Sequence, residues 1–107
     1  MKRGDLVTIA LQGDYGNPRP ALVIQSDFFS EHPSVSILPV TSDLRHTPLF
    51  RIEIEPTEGN NLKKTSQVMV DKIQTVPCEK VRDAFGRLDD ATMLSVNRAL
   101  AVWLGFA

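Results

Sequence analysis

Apolar and polar positions along the chain change period once, close to its C-terminal end. Before that point the apolar residues come in short runs separated by Gly, Pro, Asn and Asp. The clearest run is Phe50, Ile52 and Ile54 alternating with Arg51, Glu53 and Glu55. That period of two predicts a strand with one face in and one out. Residues 6–10 predict another strand, and residues 12–20 a loop punctuated by Gly13, Gly16, Pro18 and Pro20. Residues 21–25 are apolar almost throughout, as in a strand buried on both sides. Residues 35–40 predict a strand whose Pro39 suggests an edge or a bulge. Residues 58–61, Glu-Gly-Asn-Asn, predict a turn. Residues 67–70 and 73–76 predict two more strands, and residues 85–88 a last short one. Beyond them Met93, Val96, Leu100 and Trp103, with Leu104, recur at helical spacing. Asp89 is placed to cap that helix, because its carboxylate can accept free N–H groups of the first turn. Gly105 is placed to end it. The predicted fold class is mainly β with a C-terminal helix, a small and strongly bent antiparallel sheet or barrel with the helix packed on it.

Length and charge narrow the reading. The 107 residues suit one domain, residues 1–107, and 42% of them are apolar, enough for one core. A domain this small is stable by a modest margin, so pairing with a second copy adds burial. The formal net charge of −1 excludes a generally basic nucleic-acid binder, and any such binding must use a local patch. A single cysteine, Cys78, rules out an intrachain disulfide and fits a reducing cytosol. The start, Met1-Lys2-Arg3-Gly4-Asp5, lacks the apolar run of a signal peptide. No stretch approaches the about 20 apolar residues of a membrane span. The expected location is cytoplasmic. The two histidines lie far apart, no Cys/His pair has ligand spacing, and no Gly-rich phosphate loop is present. No metal site and no cofactor are expected.

Three ordered segments carry a resemblance: Arg3-Gly4-Asp5-Leu6-Val7, then the ten residues from Pro18-Arg19-Pro20 to Asp27, then Leu38-Pro39-Val40-Thr41-Ser42. Residues 67–75 and the final helix add weaker matches. In order and spacing the set resembles the MazF/PemK toxins across nearly the whole chain. The resemblance implies an SH3-like barrel and a homodimer. It implies a toxin endoribonuclease (an mRNA interferase) cleaving single-stranded RNA at short sequences. It also implies a cognate antitoxin whose acidic tail covers the active groove.

Metal-free RNA cleavage uses the RNA's own 2′-OH as nucleophile and leaves a cyclic phosphate and a 5′-OH. The protein has to align the attack, stabilise phosphoryl charge and manage two protons. The resemblance makes Arg19 the first catalytic candidate. A planar guanidinium can hold two phosphoryl oxygens, and Pro18 and Pro20 stiffen its base. Arginine stays protonated in proteins, which favours charge stabilisation over a free-base role. Thr41 matches the family's threonine and offers a hydroxyl to a phosphoryl oxygen. Asp71 stands where some relatives carry an acidic residue, able to orient the arginine or accept a proton. Met69 and Lys72 depart from the arginine and glutamine that some members carry there. Ser42, Arg45, His46 and Lys72 are the RNA-binding candidates, with Lys63 and Lys64 as further phosphate contacts. Tyr15, in the first loop, can stack on a base. That loop departs from the longer version of several relatives, so no target sequence carries over.

Two other classes compete. CcdB-like toxins share the fold but bind gyrase without cutting nucleic acid. Their Trp-Gly-Ile ending is only loosely matched by Trp103-Leu104-Gly105-Phe106-Ala107, and Trp103 is expected in the helix core. A non-catalytic SH3-like binding module fits the bulk properties equally well.

Overall fold

The computed structural model describes residues 1–10 and 17–107. Among them are β1 (Asp5–Ile9), β2 (Arg19–Val23), β3 (Ser34–Thr41), β4 (Arg51–Ile54), β5 (Ser66–Met69), β6 (Gln74–Pro77), β7 (Gly86–Arg87) and α1 (Asp90–Leu104). Short 3₁₀ turns at Asp27–Phe29, Val70–Lys72 and Cys78–Lys80 were not expected from the pattern.

All pairings are antiparallel, in the order β4-β5-β3-β2-β1-β7, and β6 also pairs with β3. The sheet curls back on itself. After β6 and its 3₁₀ turn the chain returns along β1, where Val81 bridges Ile9 and the Arg82 N–H donates to the Thr8 carbonyl at 2.9 Å. This is the bent mainly-β architecture with one terminal helix that the pattern predicts.

Because side chains alternate across a strand, the curl divides the apolar residues into two layers. Val7, Ile9, Ala21, Val23, Val35, Ile37 and Val76 fill the inside. Leu6, Leu22, Leu38, Val40, Val68 and Leu88 face outward and are covered by Met93, Val96, Ala99 and Leu100 of α1. Each large side chain so covered contributes about 1.5–3 kcal/mol. Both ends of α1 form as expected. The Asp89 carboxylate accepts from the Thr92 N–H at 2.7 Å, and Gly105 ends the helix at φ +84°. Trp103 corrects its expectation: it is half exposed, its ring 5.9 Å from that of Phe50. It lies in the last turn of the helix, against the residue that precedes β4.

Two prolines depart from the predicted pattern for one reason. Pro39 was expected at an edge or bulge, yet β3 is central and pairs with three strands. The Ile24 N–H donates to the Ser36 carbonyl at 3.1 Å, which makes Ala21–Pro39 a pair that exchanges no hydrogen bond. The nitrogen of Pro39 therefore faces the other side. There β6 pairing ends at Ile37 and β5 pairing begins at Val40. The missing N–H falls in that gap. Pro20 was expected in a loop but lies in β2, opposite Thr8. Its missing N–H is the one that would continue the ladder toward β3, and that ladder ends one pair earlier, at Ala21–Pro39.

Candidate active site

Where Pro20 ends the ladder between them, β2 and β3 part, Arg19 staying paired with Ile9 of β1 and Thr41 with Gln67 of β5. Continuing the register by two positions sets Arg19 across from Thr41. Both side chains line two adjoining clefts, which also share Pro20 and Val40. The first cleft holds about 400 Å³ and is completed by Thr8, Ser42, Asn61, Leu62, Lys63, Lys64, Ser66 and Phe85. The second holds about 310 Å³ and is completed by Ile9, Pro39, Met69, Lys72 and Gln74. Lysines thus flank the Arg19–Thr41 pair on both sides, a local basic surface on a chain of net charge −1.

The far wall of the first cleft is rigid for a local reason. Asn60 is buried, and its side chain satisfies three backbone groups of its own loop. Its Oδ1 accepts from the Thr57 N–H at 2.9 Å and the Leu62 N–H at 3.0 Å, and its Nδ2 donates to the Glu55 carbonyl at 2.9 Å. Asn61 follows with φ +54°, a left-handed turn that asparagine tolerates. Its Nδ2 donates to the Phe85 carbonyl. The Asn-Asn turn legible in the sequence therefore builds a wall that carries Lys63 and Lys64.

Thr41 is held as well. Its Oγ1 accepts from the Asp43 N–H at 3.0 Å, which leaves the hydroxyl hydrogen available to a ligand. Ser42 lines the first cleft beside it. Lys72 lines the second, with Nζ 3.4 Å from Asp71 Oδ2.

Three of the other predicted residues, Asp71, Arg45 and His46, line neither cleft. Oδ1 of Asp71 is buried with no hydrogen-bond partner. Arg45 and His46 are exposed on the loop after β3, and Arg45 pairs with Asp43 at 3.1 Å. Tyr15 lies outside the described residues. Among those described, no three His, Cys, Asp or Glu side chains come together as metal ligands. The pattern-based reading missed Asn61, Leu62, Phe85 and Gln74 as cleft walls. Only contacts between distant segments bring them there, and nothing in their own spacing marks them.

Residues 2–104 match the family described as PemK-like, MazF-like toxin of type II toxin–antitoxin systems. The probable endoribonuclease MazF of Mycolicibacterium smegmatis is 44% identical over 108 residues, covering 100% of this chain and 99% of that protein. Endoribonuclease EndoA of Bacillus subtilis is 27% identical over 110 residues, covering 97% and 94%. Among solved structures, a mycobacterial endoribonuclease in complex with its cognate antitoxin superposes with a TM-score of 0.83 and 25% identity, covering 100% of this chain and 97% of that one. Mycobacterium tuberculosis toxin MazF-mt6 shares the fold, with a TM-score of 0.80, 20% identity, and coverage of 94% and 96%.

Proposed function

The chain belongs to the PemK-like, MazF-like toxin family of type II toxin–antitoxin systems, and on that premise we propose that it is a toxin endoribonuclease that cleaves single-stranded mRNA at short specific sequences without a metal ion. The observation that carries this reading is the Arg19–Thr41 pair across the unzipped ends of β2 and β3, with lysines in the clefts on both sides. An extended polyanion laid over that surface places one phosphate at the pair and its neighbours near Lys63, Lys64 and Lys72.

The chemistry follows from the groups present. The RNA 2′-oxygen attacks the adjacent phosphorus, and the bond from phosphorus to the 5′-oxygen breaks. The products are a 2′,3′-cyclic phosphate and a 5′-OH. Arg19 binds two phosphoryl oxygens through a planar fork and stabilises the charge that grows on them. Thr41 donates its hydroxyl hydrogen to the same group. One proton leaves the 2′-OH and one reaches the 5′-oxygen. Asp71, outside both clefts, is given no step.

The same reading includes a homodimer and an antitoxin. Leu49, Val102, Trp103, Leu104 and Phe106 are all at least half exposed, around the Phe50–Trp103 contact. An apolar surface at a helix end favours a protein partner, and a second copy fits a domain of this size. The clefts, lined by lysines and Arg19, suit an acidic antitoxin segment competing with RNA.

The test is incubation with a long single-stranded RNA in EDTA, beside Arg19→Ala, with mapping of the product ends. The expected result is discrete cuts leaving 5′-OH ends, slowed by roughly 10²–10³-fold in the variant, the loss typical of removing one charge-stabilising donor. Intact RNA from a folded, antitoxin-free protein sinks the reading and leaves a gyrase-binding toxin or a binding module.

A further inference from the structure

The loop after Thr41 is held by a buried side chain that lines neither of the two clefts. Gln67, in β5, is 5% exposed, and it stands directly opposite Thr41 of β3 and Glu53 of β4. Its Oε1 accepts from the Arg45 N–H at 3.0 Å, and its Nε2 donates to the Arg45 carbonyl at 2.9 Å. A single amide thus pairs with both backbone groups of one loop residue, as a neighbouring strand would. Arg51 completes the brace. Its guanidinium donates to the Asp43 carbonyl at 2.9 Å and to Gln67 Oε1 at 3.1 Å. Gln67 Nε2 also reaches Glu53 Oε1 at 3.5 Å, and the Asp43 N–H donates to Thr41 Oγ1 itself.

We propose that Gln67, supported by Arg51, is a positioning residue that fixes the loop of residues 42–47 and through it the orientation of the Thr41 hydroxyl and of Ser42 in the cleft. The physical case is that a buried amide is kept only where its groups are paired. Here they pair with loop backbone. Gln67 shares its strand face with Thr41 and Glu53, opposite to that of Val68, so its use lies in what it holds. Without the brace, the bond from the Asp43 N–H to Thr41 Oγ1 loses the buried amide and guanidinium contacts that steady its loop. The hydroxyl then swings, and a displacement of about 1 Å at a reacting group costs up to roughly 100-fold in rate. The proposal rests on the nuclease reading above.

The experiment compares wild type with Gln67→Met, which keeps most of the volume and removes the amide, and with Val96→Ala, a core change in α1 that removes none of the loop's hydrogen bonds. Arg51→Met is the second probe if Gln67→Met does not fold. Cleavage kinetics at saturating RNA and amide hydrogen exchange of Asp43 and Arg45 are measured well below every melting temperature. The expected result is kcat reduced at least about tenfold with KM within about threefold, together with faster exchange at Arg45 and Asp43. Val96→Ala moves neither readout. Equal kcat and equal loop protection in Gln67→Met and Val96→Ala overturn the proposal, because Gln67 then acts only through overall stability. Wild-type protein that leaves RNA intact overturns the nuclease reading and the catalytic part of this one. The exchange measurement separates the two failures, since it reports the brace whether or not RNA is cut.

Discussion

Gly86→Ala is expected to destabilise the protein severely, although the position looks unremarkable in the sequence. Gly86 lies in β7 opposite Leu6, and its φ is not in the left-handed region. What requires glycine is closeness. A methyl carbon placed there stands 2.2 Å from the Asn60 carbonyl oxygen, 2.5 Å from its carbonyl carbon and 2.9 Å from its Cα. All three are backbone atoms, so no rotamer change relieves the clash. One of the two segments must retreat by about 1 Å to reach ordinary contact. Asn60 is held by three hydrogen bonds from its own side chain. β7 is held against the same loop by the Arg87 N–H to Gly59 carbonyl bond at 2.9 Å and by Asn61 Nδ2 to the Phe85 carbonyl. Losing those two bonds costs roughly 0.5–1.5 kcal/mol each, and overpacking adds roughly 1–3 kcal/mol. The expected loss is about 2–6 kcal/mol out of a total of roughly 5–15. For a domain of this size that lowers the melting temperature by roughly 10–30 °C. Thermal unfolding followed by circular dichroism, with urea unfolding beside it, measures the change. A fall of less than about 3 °C refutes the reasoning, because the loop and β7 would then be free to part without cost.

Two further outcomes follow from the helix. The Thr92 hydroxyl and the Thr92 N–H hold the Asp89 carboxyl below its usual value of 3.8. A carboxylate depressed in the folded state stabilises above its unfolded pKa and loses that contribution as pH falls through the lower folded one. Asp89→Ala is therefore expected to lower the melting temperature near pH 7 and to have less effect below pH 3.8. An equal loss at both pH values in parallel melts removes the charge from the argument. Trp103→Asp places a charge at the centre of the exposed apolar end of α1. Sedimentation equilibrium is expected to show a dimer for wild type and a monomer for the variant, and a monomeric wild type counts against pairing altogether.

Much of this fold is visible in local pattern. The alternation at residues 50–54, the Asp89 and Gly105 caps and the Met93–Val96–Leu100 stripe each reflect interactions within a few residues, and each forms where its own chemistry places it. Arg19, Thr41 and Ser42 were legible through ordered motifs, and the fold does set them around one cleft. Pro39 and Pro20 were harder, because a proline's effect depends on which side its missing N–H faces. That is a property of pairing with other strands. Trp103 shows the same limit: helical spacing puts it in line with buried residues, yet in the fold half of it stays exposed.

By itself, the amino-acid sequence determined the class of the fold, the position of the helix and the segments that carry the Arg19 and Thr41 motifs. Periodicity, capping and turn chemistry act over short distances, and the residues concerned lie next to one another in the chain. Tertiary structure alone decided that Arg19 and Thr41 oppose each other, that Lys63 and Lys64 border one side and Lys72 the other, and that Gln67 braces the loop between them. Those relations join residues far apart in sequence through strand register. Register is set by the burial of two apolar layers acting together, which no single segment specifies.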